Sequence, residues 1–166
     1  MSEKPGKLSQ AGLLTVSAMV VLPYRYSAGR YGSRFLEALK DKKFLGSRCR
    51  TCELVLVPPR IVCAGCFKKM EEFVDLPPTG SLTSYTQVTF PFIDPFTGGK
   101  RPIPYCYGMI RLDGADNTFQ FFLEEKDIRR IRIGLRVRAV FREEREGTLR
   151  DILYFRTEEI PPDTEI

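Results

Sequence analysis

The stretch CRTCELVLVPPRIVCAGC, residues 49–66, holds four of the five cysteines of the 166-residue chain. Two Cys-x-x-Cys pairs flank ten residues, an apolar run that ends in Pro58-Pro59. Each pair forms a tight knuckle whose two sulfurs converge, and two knuckles on facing hairpins complete a tetrahedral S4 site for Zn2+. The linking segment ELVLVPPRIV has the strand character that a zinc ribbon requires, and Gly65 relieves the second turn. The spacing therefore predicts a zinc ribbon with Cys49, Cys52, Cys63 and Cys66 as ligands. Iron in a rubredoxin-like site is the alternative, since four thiolates suit both metals.

Four thiolates also close the coordination shell, whereas a catalytic zinc keeps a position open for water or substrate. The expected metal is structural. About twenty-five residues have too little core to fold alone, and zinc supplies the missing folding energy. The fifth cysteine, Cys106, lies in the strand-like PYCYGMI and is expected to be a buried, inert thiol.

Upstream, SRFLEALKDKKF (33–44) reads as a short amphipathic helix with Ser33 as N-cap. Phe35, Leu36 and Leu39 share a face, and Arg34, Lys40, Lys42 and Lys43 make the other side basic. Further upstream, AGLLTVSAMVVL (11–22) imitates the apolar region of a signal peptide. It is shorter than the roughly 20 residues of a membrane span, and no clear cleavage site follows. Its expected role is that of an N-terminal arm packing on this protein or on a partner.

Downstream, FVDLPPTG (73–80) reads as a Pro/Gly hinge, after which the apolar period changes to two. Residues 81–90, 104–113, 118–125, 135–144 and 149–159 are five strand candidates rich in Val, Ile, Tyr, Phe and Thr. The expected fold is mainly β: an arm (1–30), a helix (31–45), a zinc ribbon (46–72) and a five-stranded OB-fold barrel (80–160). A small sandwich is the rival for the last part. The loop at 91–104 contains Gly98-Gly99-Lys100, but it lacks the earlier glycine and the following Ser/Thr of a phosphate-binding loop.

Histidine is absent, which excludes a Ser-His or Cys-His pair built within this chain and any His-ligated metal. Two close cysteine pairs with a fifth left over do not resemble an extracellular disulfide framework, so the expected compartment is the reducing cytoplasm. Residues 1–79 carry 13 Lys/Arg against 7 Asp/Glu, net +6, and residues 80–166 carry net −1. An anionic ligand should favour the N-terminal half. Two function classes remain beside a scaffold: a single-stranded nucleic-acid-binding OB-fold/zinc-ribbon protein, and an independent redox protein with an iron S4 site. The alternating Arg136, Arg138 and Arg142 read as the wet face of a strand rather than a binding stripe.

The order of parts is similar to a known family. FLEALKDKKFLGSRC runs into the ribbon, and DLPPTGSLTSYTQV leads to PYCYGMIRLDG and IRIGLRVRAVF. Gly80, Leu82 and Ser84-Tyr85-Thr86 after the ribbon are the most specific element. The chain resembles, from about Tyr31 to Phe155, the acyl-CoA-associated OB-fold proteins with an N-terminal rubredoxin-like zinc ribbon. The resemblance implies a hetero-oligomer with a thiolase-like catalytic subunit, as in benzoylsuccinyl-CoA thiolase, and a role in holding the CoA moiety of acyl-CoA substrates. It also implies that the chain is not itself an enzyme but a non-catalytic subunit of a thiolase or acyltransferase complex, with no catalytic residue of its own. The family's metal ligands carry over to Cys49, Cys52, Cys63 and Cys66. Nucleic acid and membrane are not expected partners. If CoA phosphates meet this chain, Arg34, Lys43 and Arg60 near the helix–ribbon junction are the residues expected to hold them.

Overall fold

A computed structural model describes residues 26–91, 93 and 99–158. Most of the proposed arm, the centre of the 91–104 loop and the last eight residues therefore lie outside the described residues.

Helix α1 spans Gly29–Lys40 and buries Phe35 and Leu39, as the periodicity predicts. It starts four residues before Ser33. Ala28 is the N-cap, and the acceptor for the Gly29 N–H is the Ser27 hydroxyl at 3.1 Å. At the other end, the Arg145 guanidinium donates to the Lys40 carbonyl, supplying one of the partners that the last turn of a helix lacks.

Two sheets follow. The first has the order β2-β1-β3, built from β1 (Phe44–Arg48), β2 (Val55–Leu56) and β3 (Glu72–Leu76). The second comprises β4 (Thr79–Val88), β5 (Tyr105–Leu112), β6 (Phe119–Phe122), β7 (Arg136–Phe141) and β8 (Ile152–Thr157), in the order β6-β5-β4-β7-β8. All neighbours are antiparallel. The two outer strands meet at one parallel bridge, Leu123 to Phe155, where the Glu124 N–H donates to the Phe155 carbonyl at 2.9 Å. This is the partly open five-stranded barrel of an OB-fold.

The segment read as a hinge is held at both ends instead. Residues 73–76 belong to β3, Thr79 begins β4, and the Pro78 carbonyl between them accepts from the Ala139 N–H at 2.8 Å. Proline lacks a donor but keeps its carbonyl, so Pro77-Pro78 bends the chain without freeing it.

The core is continuous across ribbon, helix and barrel. Phe44 of β1 is fully buried, with ring centroids 5.4 Å from Phe119, 5.8 Å from Phe141, 6.1 Å from Phe155 and 6.4 Å from Phe35. The outer edge of β2 is closed by the barrel. The Val55 N–H donates to the Asp116 carboxylate (2.7 Å), the Asp116 N–H donates to the Val55 carbonyl (2.9 Å), and the Asn117 amide both donates to and accepts from the backbone of Val57 (2.7 and 2.8 Å). No helix among the described residues is long and apolar enough to cross a membrane.

Candidate metal centre

Both cysteine pairs fold into the same knuckle. In the first, the Glu53 N–H donates to the Cys49 carbonyl (2.8 Å) and the Cys49 N–H to the Leu54 carbonyl (2.9 Å). In the second, the Phe67 N–H donates to the Cys63 carbonyl (3.1 Å) and the Cys63 N–H to the Lys68 carbonyl (2.9 Å). Each turn ends on a left-handed residue, Glu53 and Phe67, both at φ 59°. Glycine usually fills such a position. Reading the cysteine spacing alone gives no hint of these two residues.

The knuckles aim backbone donors at sulfur: the Cys52 N–H lies 3.5 Å from Cys49 Sγ and the Gly65 N–H 3.4 Å from Cys63 Sγ. All four sulfurs lie within 4.8 Å of one another, and Cys49 and Cys66 approach to 3.5 Å. A tetrahedral zinc with Zn–S bonds of about 2.3 Å sets its sulfurs ~3.8 Å apart, so the donor set fits the ion in number, chemistry and spacing. Cys49 and Cys63 are buried, Cys66 is half-buried and Cys52 faces solvent. All five cysteines, Cys106 included, are free thiols, and Cys106 is buried as expected.

The electrostatics of the clasp are those of thiols that share protons. Hydrogen bonds from the Cys52 and Thr51 backbone lower the Cys49 thiol to about 6. The Cys52 thiol is pushed up to about 12, first by its hydrogen bond with Cys66, then by burial and by Cys63 and Cys49. One thiolate forms readily and its neighbours resist a second negative charge, a conflict that a divalent cation removes.

The three residues expected to meet phosphate sit on or beside the β1–β3 ladder. The Arg34 guanidinium stacks 4.6 Å above the Phe73 ring, and Lys43 pairs with Asp75 at 2.9 Å. Phe73 and Asp75 are two residues apart on β3 and share a face, so these two cations stand side by side. Ser47, fully buried and opposite Phe73 in the register, accepts from the Arg60 N–H (2.9 Å) and donates to the Arg60 carbonyl (3.1 Å). Arg60 itself is exposed.

A second cluster escaped the sequence reading. On the outward face of β5 and β6, Phe122 packs against Tyr107 (4.9 Å) and Tyr105 (5.7 Å), and the Arg101 guanidinium lies 3.8 Å above Phe122. The alternation of Tyr105 and Tyr107 with buried Cys106 was the available signal.

Two family models match successive parts of the chain. The ChsH2 rubredoxin-like zinc ribbon domain matches residues 36–71, and the ChsH2 C-terminal OB-fold domain matches residues 73–142. Among solved structures, the chain is similar to a protein of unknown function of the DUF35 family from Sulfolobus solfataricus. That likeness has 23% identity and a TM-score of 0.55, over 78% of this chain and 84% of the other. It is also similar to a chain of the Ltp2-ChsH2(DUF35) aldolase, with 23% identity and a TM-score of 0.59, over 80% of this chain and 98% of the other.

The aldolase likeness corrects one expectation, that the chain is no enzyme but the non-catalytic subunit of a thiolase or acyltransferase complex. A chain of similar fold is part of an assembly described as an aldolase. The absence of histidine excludes certain catalytic pairs within one chain. It does not bear on an active site to which two chains contribute.

Proposed function

Because the chain belongs to the ChsH2 family, with its rubredoxin-like zinc ribbon and C-terminal OB-fold, we propose that it is the zinc-bearing component of a two-protein enzyme acting on acyl-CoA. Cys49, Cys52, Cys63 and Cys66 hold a structural zinc; the mutual spacing of their sulfurs within 4.8 Å supports this assignment most directly. The partner is a thiolase-like chain. The reaction of the assembly is of the aldolase kind, the breaking or making of a carbon–carbon bond in the acyl group, a reading supported by the similar chain of the Ltp2-ChsH2(DUF35) aldolase. Arg34 and Lys43, side by side over β3, with Arg60 near the same ladder, hold the phosphates of CoA. Five free thiols suit a reducing cytoplasm.

Native mass spectrometry of the chain purified from its own host, with metal analysis of the same sample, tests the reading. The expected result is a hetero-oligomer with one zinc per copy of this chain, whose affinity for CoA drops at least about tenfold in an Arg34→Ala/Lys43→Ala variant. A lone 19.0 kDa chain would overturn the partner assignment. Unchanged CoA affinity in the variant would overturn the phosphate assignment alone.

The aromatic cluster on β5 and β6 favours a second reading, single-stranded nucleic-acid binding. An OB-fold presents its second and third strands to nucleic acid, and bases stack on aromatic rings and guanidinium planes. Binding of an oligonucleotide that weakens steeply with salt and with Tyr107→Ala would support it.

A further inference from the structure

The four cysteines of the clasp differ in their access to solvent. Cys49 and Cys63 are buried, Cys66 is half-buried and Cys52 is exposed. Packing explains the difference. Leu54, Leu56 and Met70 gather with Cys49, Cys63 and Cys66 into one small apolar cluster, and Cys52 is not part of it. Leu54 also covers the second knuckle: a methyl group on Gly65 would fall 3.2 Å from its Cδ1 and 3.8 Å from Cys52 Sγ. The clasp is therefore walled by Leu54, Leu56 and Met70 and opens at Cys52.

Oxidation of cysteine starts from the thiolate, and its rate follows thiolate character and access. Zinc takes each of its cysteines as thiolate. Within a loaded clasp, ionisation therefore does not separate the four ligands, and access does. Cys52 is the ligand that an oxidant in solution reaches first. A thiolate able to resolve the product stands beside it, since all four sulfurs lie within 4.8 Å of one another. Cys66, half-buried, is the neighbour whose hydrogen bond acts most strongly on Cys52. The fifth thiol, Cys106, has neither property: it is buried, burial pushes its thiol up, and it lies outside the clasp.

We propose that Cys52 is a site of modification by peroxides, resolved by Cys66, and that its oxidation releases the metal of the clasp. The proposal rests on the assignment of zinc to the four cysteines. The Cys52 thiolate attacks one oxygen of a hydroperoxide. An S–O bond forms, the O–O bond breaks, and the leaving oxygen takes a proton from solvent to depart as water or an alcohol. The sulfur is oxidised to a sulfenic acid and the peroxide is reduced. The Cys66 thiolate then attacks Cys52 Sγ, forming the S–S bond and expelling hydroxide, which takes a proton from solvent and leaves as water. Cys49 and Cys63 alone do not complete the tetrahedral shell of a structural zinc. A dithiol reductant reverses the disulfide step. The barrel core is built from other residues and keeps its packing.

Hydrogen peroxide added to the zinc-loaded full chain tests the proposal without any variant. A chromophoric chelator reads zinc release against a peroxide-free control, and dimedone traps sulfenic acid for peptide mass spectrometry. Cys52 should be modified first, as the dimedone adduct or as the disulfide with Cys66, at least about tenfold faster than Cys106. Zinc release should keep pace with that modification, and dithiothreitol with added zinc should restore the starting state. First modification at any other cysteine would overturn the proposal. So would a disulfide that leaves out Cys52, or zinc retained after Cys52 is oxidised. Metal analysis before peroxide is added separates these results from a failure of the clasp assignment. A chain that carries no zinc would sink that assignment and the proposal with it.

Discussion

A methyl group on Gly80 would fall 2.4 Å from the Arg111 carbonyl oxygen and 2.9 Å from the Leu112 α-carbon. Both are backbone atoms of the neighbouring strand, so no side chain can turn aside. Gly80→Ala is expected to lower the unfolding free energy of the zinc-loaded chain by about 3 kcal/mol in urea denaturation, at the upper end of overpacking effects. A loss under about 1 kcal/mol would mean that the strands separate more easily than this contact implies. One residue away, Thr79 donates to Asp113 at 2.6 Å, and Arg136 grips the same carboxylate through both amino groups at 2.7 and 2.6 Å. Arg136 first, then Thr79, holds the Asp113 carboxyl down at about 2, against 3.8 in an ordinary aspartate. A depressed carboxylate stabilises the fold above its unfolded value, and that contribution is lost as pH falls from about 4 through 2. Asp113 and Arg136 are 39% and 40% exposed, which limits the effect to about 1 kcal/mol. Asp113→Asn should therefore lower Tm at pH 6 and match the wild type near pH 2. A gap that persists at pH 2 would assign the loss to packing instead.

Among the elements, the edge of β2 depends on a loop of the barrel. Asn117 pairs with both the N–H and the carbonyl of Val57, a residue with no exposure, so Asn117→Ala leaves two buried backbone groups without partners. Such a loss costs about 2 kcal/mol. Hydrogen exchange should localise it to residues 54–58, and an effect below about 0.5 kcal/mol would show water replacing the amide. The strands themselves were legible in the sequence because their period of two is a local property of a sheet with one buried face. Their ends were not. The 149–159 segment starts with a 3-10 turn over Leu149–Asp151, closed by a capping box between Thr148 and Asp151, and β8 begins only at Ile152. The buried Asp151 carboxylate accepts from the N–H groups of Glu146, Gly147 and Thr148, a local competitor to strand pairing that β-propensity does not register.

For the whole molecule, the consequence concerns what zinc stabilises. The ribbon read alone needs its metal to fold. In the assembled chain, Phe44, Val55 and Val57 belong to the barrel's core, while Cys49, Leu56, Cys63 and Met70 form a separate small cluster around the clasp. Removal of zinc by a chelator is therefore expected to release the knuckles and spare the barrel. Peptides covering residues 49–70 should lose protection, and those from β4, β5 and β7 should keep it. Simultaneous loss of both sets would mean that the two clusters unfold as one. Acidification should likewise release the knuckles before the barrel, since protons compete with zinc for the four thiolates.

The sequence by itself determined the gathering of Cys49, Cys52, Cys63 and Cys66, the amphipathic helix and the five-strand order of parts. Each of these is written in short-range spacing: two residues between ligands, three or four between helix positions, two between strand positions. Only the tertiary structure decided that Phe44 of the ribbon is the hub of the barrel, that Asn117 closes the ribbon's edge and that Arg34 and Lys43 share one face of β3. Those relations join residues brought together by the packing of helix and sheets, and no local period records which faces meet.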